Sequence, residues 1–217
     1  MTLPPISPQI LRAGIVLVDP ATRQPLRVIA LQYNPDSLSR TFQAKGLGED
    51  RDRSSALRLR GPAIETLRID AELDAADFLE FPQDNTTIAR EGLGPVISLF
   101  EGLVNPTSQQ LLDNDRLAYE GTLEIIPMQT PLPVFVWSVN RVVPVRITEL
   151  AITEEAFDTR LNPIRARVSL GMRVLTVDDV GFRHAAGLLQ IAAMRGRERL
   201  AALAAQAPLS ALGVSRL

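Results

Sequence analysis

Short apolar runs and alternating apolar positions predict a chain made mainly of β-strands. Two apolar runs, over residues 13–18 and 27–33, are each closed by a dipeptide that contains proline. Apolar runs bounded in this way are typical of two strands joined by a turn. Residues 38–44 continue the pattern, and we expect a third strand there.

Residues 67–73 form the most regular strand pattern in the first half of the chain. Leucine, isoleucine and alanine stand at every second position, with arginine, aspartate and glutamate between them. One face of this strand therefore meets a core, while the other meets water or a partner. The preceding segment, residues 45–62, is charged, contains several glycines and is almost free of apolar residues before Leu57. We expect a long exposed loop there, and loops of this length are usually either disordered or functional.

Three segments in the second half predict the remaining strands. Residues 134–137 have the apolar character of a buried strand, and residues 142–152 follow after a turn. The apolar phase changes near Glu149, which predicts a β-bulge. Residues 164–174 alternate strictly after a turn at 158–163, and with the preceding strand they form the strongest predicted hairpin.

Helical spacing occurs in two places. From Pro95 the apolar residues fall at i, i+3, i+4 and i+7, which predicts a helix over residues 95–104 that packs across a sheet. Residues 179–206 are rich in alanine, leucine and arginine and predict a C-terminal helix. We interpret residues 107–132 mostly as a connection, because charge and proline interrupt their apolar pairs. Residues 208–217 carry too little pattern to predict an element.

Composition narrows the classes of function. The chain has 217 residues, of which 46% are apolar, and a net charge of −2, which is the profile of an ordinary globular protein. Nucleic-acid binding by charge needs a concentrated positive excess, so we predict none. Cysteine is absent, which excludes a disulfide and a thiolate metal site. His184 is the only histidine, so histidine-based metal ligation or a serine triad is hard to assemble. No apolar stretch reaches the roughly eighteen residues of a membrane span.

Candidate catalytic chemistry is sparse. Three groupings of carboxylates stand closest in the sequence: Asp74 with Asp77, Glu154 with Glu155, and Asp178 with Asp179. A hydrolase or metal site needs such pairs to converge from different elements, whereas adjacent residues on a strand point to opposite faces. We therefore interpret them as solvated turns or helix starts, and Asp178-Asp179 as the negatively charged start of a helix.

Two further features superficially suggest chemistry. His184 lies near the start of the final helix, and no serine stands in a nucleophile-elbow pattern, so packing is its favoured role. Gly46 and Gly48 fail the spacing of the Walker and dinucleotide fingerprints, and the acidic Glu49-Asp50 beside them would repel phosphate. The sequence therefore predicts no catalytic, metal-binding or cofactor-binding residue, no cofactor and no enzymatic activity.

A series of motifs in fixed order carries a family resemblance. The motifs are LQYNPDSL over residues 31–38, the Gly94-Pro95 helix that ends at Val104-Asn105-Pro106, PVFVW over residues 133–137, Val143-Pro144-Val145 leading into ITEEAFD over residues 152–158, and NPIRA over residues 162–166. In this order they resemble the N-terminal domain of tube-type proteins of contractile injection systems, the phage-tail-like particles of bacteria. The resemblance is to the LysM-bearing tube-initiator or baseplate-hub-adaptor family and covers about residues 10–177.

The resemblance implies a fold and a domain division. It implies a mainly β (α+β) fold, an inner-tube-like β-barrel or sandwich with one packed helix, over residues 1–177. Residues 178–217 are then a helical C-terminal extension. Family members commonly carry a LysM module after this domain, but no LysM pattern occurs in this sequence. Contact with peptidoglycan is therefore not implied.

The resemblance also implies a structural role. The chain would form a sixfold ring that joins the spike and hub to the inner tube and initiates tube assembly. The implied partners are copies of itself, the spike or hub protein, the inner-tube protein and other baseplate subunits, with no nucleic acid and no membrane span. The implied location is cytoplasmic, within assembled bacterial particles, and extracellular after release.

Seven residues are the interface residues that we predict for such a ring. They are Tyr33, Asn34 and Pro35 at the turn that fixes the first hairpin, Arg165, Arg167 and Arg173 on the polar face of the last strand, and Arg195 on the helical tail. One alternative from another class stays open: a small β-barrel ligand-binding module or enzyme whose cleft is closed by the loop over residues 45–62. Binding or turnover by an isolated monomer would favour that alternative, whereas ring formation would favour the structural role.

Overall fold

Seven strands form the body of the protein. The computed structural model describes residues 10–46, 58–119, 130–214 and 216. In chain order the strands are β1 (Gly14–Val18), β2 (Pro25–Ala30), β3 (Leu38–Gln43), β4 (Ile64–Asp74), β5 (Leu132–Ser138), β6 (Arg141–Phe157) and β7 (Pro163–Val174). They form one antiparallel sheet in the order β2-β1-β5-β6-β7-β4-β3. The mainly β, α+β fold class is confirmed.

Helices accompany this sheet. In the described ranges they are α1 (Ala76–Leu79), α2 (Thr86–Glu91), α3 (Gly94–Glu101), α4 (Ser108–Tyr119), α5 (Val177–Val180), α6 (Ala185–Ala202) and a 3-10 helix (Leu209–Leu212). The short helices α1 and α2 have no counterpart in the sequence pattern, because four to six residues are too few to show a helical period. No helix in this part of the chain is long and apolar enough to cross a membrane.

The two predicted hairpins and the predicted bulge are confirmed. β1 pairs with β2, and β6 pairs with β7 in antiparallel register. The register of β6 shifts between Ile147 and Glu149. The extra residue changes which side chains of this 17-residue strand face the core, so the strand stays continuous while its apolar phase changes.

The sheet curves so that its two ends share one core. Ile15 of β1 and Ile69 of β4 belong to the same buried cluster, although three strands separate β1 from β4 in the sheet. Gln32, just after β2, bridges the same gap: its Nε2 donates to the Asp74 carbonyl at 2.6 Å and its Oε1 accepts from the Asp74 N–H at 2.9 Å. These two bonds tie the end of β2 to the end of β4.

Helix α3 closes this core, as its apolar spacing predicted. Pro95 lies in its first turn, where a missing N–H costs nothing. Ile97 and Phe100 are buried against the sheet, and Phe100 is completely inaccessible to solvent. The helix ends at Glu101 rather than continuing to residue 104.

The interpretation of residues 107–132 as a connection is wrong for its first half, which forms α4. Thr107 and Gln110 make a reciprocal cap: the Thr107 N–H donates to Gln110 Oε1 at 2.9 Å, and the Gln110 N–H donates to Thr107 Oγ1 at 3.2 Å. No residue of α4 is buried, so capping and helix-forming residues determine this helix rather than an apolar stripe. Residues 120–129 lie outside the described residues.

The C-terminal helices pack on the other side of β1 and β5. Ala185 and Ala186 of α6 are buried against Leu132 and Val134. Close approach requires Gly187, because a Cβ there would lie 2.2 Å from the carbonyl oxygen of Gly181. The division of the chain at residues 177/178 stays a prediction. Beyond α6, where the pattern predicts no element, the chain forms the exposed 3-10 helix.

The two ends of the predicted 45–62 loop are joined to each other. Gly46 and Leu59 form an isolated β-bridge, and the Arg60 N–H donates to the Lys45 carbonyl at 2.8 Å. Lys45 Nζ also donates to Asp178 Oδ2 at 2.8 Å, so the base of the loop is attached to α5. The middle of the predicted loop, residues 47–57, lies outside the described residues.

Candidate assembly interface

A polar face covers three neighbouring strands, β4, β7 and β6, on the side of the sheet away from the core. The register aligns the polar positions of each strand with those of its neighbours. Residues 67–73 therefore present one apolar and one charged face, as their alternation predicted. The charged residues of the polar face are five arginines and five carboxylates: Arg68, Arg146, Arg165, Arg167, Arg173, Asp70, Glu72, Asp74, Glu149 and Glu155.

Two of the predicted interface residues pair with carboxylates of this polar face. The Nε and Nη2 of Arg165 both donate to Asp74 Oδ2, at 3.0 and 2.9 Å. Arg167 Nη2 lies between Glu72 and Glu155, 3.8 and 3.9 Å from their Oε1 atoms. Exposed pairs of this kind contribute little to stability, but they neutralise the charges of the face.

Asp74 is held in its ionised form. The Ala76 N–H donates to Asp74 Oδ1 at 2.8 Å, and this bond is the main reason why the pKa of Asp74 lies below its ordinary value, with Arg165 adding to the effect. In return, the hydrogen bond to Asp74 raises the pKa of Arg165. Both groups are therefore charged at neutral pH.

Gly171 allows two charges to meet across the middle strand of the polar face. The register places Gly171 of β7 between Arg68 of β4 and Glu149 of β6. The side chains of Arg68 and Glu149 form an ion pair above it, and a Cβ at position 171 would lie 3.0 Å from the Cβ of Glu149. Without the bulge that precedes it, Glu149 would point to the core instead.

The predicted turn residues follow β2, where Asn34 binds the residues just before β1 and Tyr33 binds α1. Asn34 Oδ1 accepts from the Ala13 N–H at 2.9 Å, and Asn34 Nδ2 donates to the Leu11 carbonyl at 2.8 Å. Tyr33 donates its hydroxyl to Asp77 Oδ2 at 2.8 Å. That bond stabilises the protonated phenol and raises the pKa of Tyr33. Pro35 is half-buried beside them.

The structure brings together only some of the predicted interface residues. Tyr33, Arg165 and Arg167 line one cleft of about 360 Å³. Arg173 lies near the other end of β7 and donates to Asp179 Oδ1 at 2.7 Å, which ties the strand to α5. Arg195 is exposed on α6 and makes no ion pair with the residues that the structure describes. An interface role for these residues stays a prediction.

The predicted role of His184 in packing fits its position. His184 is the residue before the first turn of α6, and its Nδ1 accepts from the Ala186 N–H at 3.2 Å. The imidazole thus caps the helix in the way that serine or aspartate usually does. Asp178 and Asp179 lie in the first turn of α5, where Asp179 and Thr176 form a capping box, so this grouping is a helix start.

A cationic cluster that the sequence analysis missed lies at the start of β4. Glu65 is buried, with 4% of its side chain exposed, and Arg40 donates to its Oε1 from Nε at 3.0 Å and from Nη2 at 2.8 Å. Arg197 of α6 donates to Oε2 at 2.5 Å. At the start of β6, burial lowers the pKa of Arg141 and the positive charge of Arg40 lowers it further, while Glu65 opposes the shift.

One signal in the sequence could have revealed part of this cluster. Glu65 falls on the same phase as Leu67 and Ile69, which is the buried phase of β4. A carboxylate on a buried phase requires a cationic partner. The sequence pattern could not identify these partners, because Arg197 is 132 positions from Glu65 in the chain.

Features of a ligand or metal site are scarce in the described ranges. They contain no group of three or more metal-binding side chains that could hold an ion, and no buried side-chain nitrogen or oxygen there lacks a hydrogen bond. A cavity of about 660 Å³ lies at the base of the 45–62 loop, lined by Gln43, Lys45, Arg60 and Asp178 among others. Lys45 and Asp178 already pair with each other, so neither charge is left to select a ligand.

Comparison with known proteins does not assign this chain to a family. No protein-family model and no curated protein matches the sequence. Among solved structures, the tail of an empty GTA particle, described with helical refinement and C6 symmetry, aligns with 75% of this chain and 90% of its own at 11% identity and a TM-score of 0.29. The virion of a native gene transfer agent particle aligns with 76% of this chain and 91% of its own at 11% identity and a TM-score of 0.28. Likeness at this level carries no argument about the fold or function of the chain.

Proposed function

We propose that this protein is a structural subunit of a phage-tail-like contractile injection particle. It forms a ring that joins the spike and hub to the inner tube and initiates tube assembly. The observation that carries the proposal is the polar face of β4, β7 and β6, on the opposite side of a sheet from a sealed apolar core. The order of the family motifs in the sequence supports the same role.

The polar face suits a surface that borders a water-filled channel. Its five arginines balance its five carboxylates, and several of them pair within the face. An antiparallel sheet can keep one face in water while the other packs on a core. A lining without net charge would not retain a passing payload by electrostatic attraction.

The two outer strands of the sheet support assembly with other subunits. Within the described residues β2 pairs only with β1, and β3 pairs only with β4. Leu26 and Val28 are exposed on β2. An unpaired strand edge with exposed apolar side chains is a surface that another chain can extend or cover, and a ring subunit needs two such contact surfaces.

Cryo-electron microscopy of particles from the source cells tests this proposal directly. We expect a sixfold layer between spike and tube whose density fits the side chains of this chain, with the polar face towards the axis. A matched strain that lacks the gene should assemble spike complexes without tubes, and a plasmid copy should restore the tubes. The proposal fails if abundant particles contain the chain in no layer, or if complete tubes form without it.

A further inference from the structure

Helix α4 has an exposed stripe that no residue of the described ranges buries. Leu112 and Tyr119 have 65% and 94% of their surface exposed. With Asp115 they stand at i, i+3 and i+7, so all three lie on one face of the helix. Leu111, beside this face, is also half exposed. We call Leu112, Asp115 and Tyr119 the α4 stripe.

This helix lacks the packing that normally stabilises a helix of its length. It has 12 residues, and isolated helices of that length are marginal in water. In proteins most helical stability comes from packing of an apolar face, but none of the residues of α4 is buried. The reciprocal cap of Thr107 and Gln110 stabilises only the first turn. Packing of the α4 stripe against another chain would supply the missing stabilisation.

Helix α6 has an exposed face with the same spacing. One side of α6, which includes Ala186 and Gln190, is buried. On the opposite side Ala192, Arg195 and Arg199 are exposed and also stand at i, i+3 and i+7. We call these three residues the α6 face. It points away from the body of the protein, where a second chain can reach it.

The two surfaces carry opposite charges that are not paired within the chain. Asp115 forms no ion pair with any residue that the structure describes, because the ion pair of α4 joins Asp113 and Arg116. Within the same ranges Arg195 and Arg199 form none either. Opposite charges on two surfaces favour their encounter and fix their register. The α4 stripe and the α6 face are therefore complementary in charge.

The two surfaces also match position by position. Both have spacings of three and then four residues, and each extends over about 10 Å of helix. A parallel pair of helices therefore aligns a carboxylate with a guanidinium, a large apolar side chain with a small one, and an aromatic ring with a guanidinium: Asp115 with Arg195, Leu112 with Ala192, and Tyr119 with Arg199. The first pair can form a salt bridge, the second allows close approach, and the third allows a cation–π contact.

We propose that the α4 stripe of one copy of this chain packs against the α6 face of the next copy. The two surfaces differ, so the contact is heterologous, and such contacts close into a ring when the rotation between copies allows it. The inference rests on the proposed function, because a ring subunit is what requires a second copy. It adds the identity of two surfaces that meet, and it gives Arg195 a partner in Asp115.

Charge-swap variants of the full chain test this contact. Asp115→Arg and Arg195→Glu should each raise the dissociation constant of self-association, measured by sedimentation equilibrium, by about tenfold or more. The double variant D115R/R195E should regain most of the lost affinity, because opposite charges face each other again. Asp113→Arg is the matched control. Asp113 lies on the other side of α4 from the stripe, so the same change of charge there should leave association unchanged.

The variants are expected to fold, because Asp115 and Arg195 are exposed and pair with no described residue. Thermal unfolding followed by circular dichroism should give an unchanged Tm for each, and Asp115→Asn or Arg195→Gln replaces any variant that is unfolded. Incorporation into assembled particles is compared for the same variants, so that a contact formed only in particles is measured as well.

The outcomes separate the contact from the proposed function. If the wild type forms rings and both single variants form them equally well, the contact is wrong while the ring remains. The same holds if the double variant regains nothing, because the two surfaces then meet other partners, or if Asp113→Arg weakens association as much as Asp115→Arg. If the wild type associates neither alone nor in particles, the proposed function and the contact fail together.

Discussion

Removing the charge of Glu65 should destabilise the protein far more than removing an exposed charge. Glu65→Gln keeps the size of the side chain but leaves Arg40 and Arg197 without a buried carboxylate. Loss of one member of a buried ion pair costs about 3–5 kcal/mol. Arg40 and Arg197 have 24% and 38% of their side chains exposed, so they recover part of their hydration. We therefore expect a loss of about 2–3 kcal/mol in the free energy of unfolding.

Glu149→Gln is the matched control for this experiment. Glu149 also binds an arginine, Arg68, but both side chains are more than half exposed. Exposed pairs contribute about 0–1 kcal/mol, so this variant should stay close to the wild type. The same chemical change is thus made in a buried and in an exposed ion pair of one sheet.

Urea unfolding followed by circular dichroism measures the difference between these two variants. At an unchanged slope m, the midpoint of Glu65→Gln should fall well below that of Glu149→Gln. For a chain of this length, a loss of 2–3 kcal/mol corresponds to a decrease in Tm of about 4–12 °C. Equal midpoints for the two variants would refute the reasoning, because burial of the Glu65 ion pair would then have no energetic consequence.

Two further predictions follow from backbone packing and from titration. Gly187→Ala should lower the free energy of unfolding by about 1–3 kcal/mol, because its Cβ would lie 2.2 Å from the Gly181 carbonyl oxygen. Gly196 lies in open space on the same helix, so Gly196→Ala should raise the free energy of unfolding by up to about 1 kcal/mol. Thermal unfolding of the two variants measures this difference, and equal effects would contradict the close approach at Gly187. The pKa of Asp74 is lowered, chiefly by the hydrogen bond from the Ala76 N–H. The ionised carboxylate therefore stabilises the folded protein fully at pH values above its ordinary pKa of 3.8. This stabilisation is lost as the pH falls through the folded-state pKa. Asp74→Asn should therefore destabilise the protein more at about pH 6 than at about pH 2 in parallel urea titrations, and a pH-independent cost would contradict this assignment.

The local pattern of apolar and polar residues was sufficient to predict a strand or helix wherever one face of that element is buried. β4 and β7 were predicted because every second side chain enters the core, and the bulge near Glu149 was predicted because the apolar phase of β6 changes there. Pattern was insufficient for α4. None of its residues is buried, so no apolar stripe of α4 enters the core, and the cap at Thr107 and Gln110 is the local signal that marks its start.

The strands, their buried faces and helix α3 could be predicted from the sequence, because those properties depend on neighbours within a few residues. The single helix predicted over residues 179–206 is instead two helices, α5 and α6. Which charges meet depends on the tertiary structure. The Arg197–Glu65 and Arg165–Asp74 pairs join residues 132 and 91 positions apart. Such pairs form when sheet curvature and helix packing bring distant segments together. The chain contains many carboxylates of the same chemistry, so the sequence alone does not identify the partner of a given arginine. The partners within the cationic cluster therefore follow from the fold, and only the position of Glu65 on the buried phase of β4 marks the cluster in the local pattern.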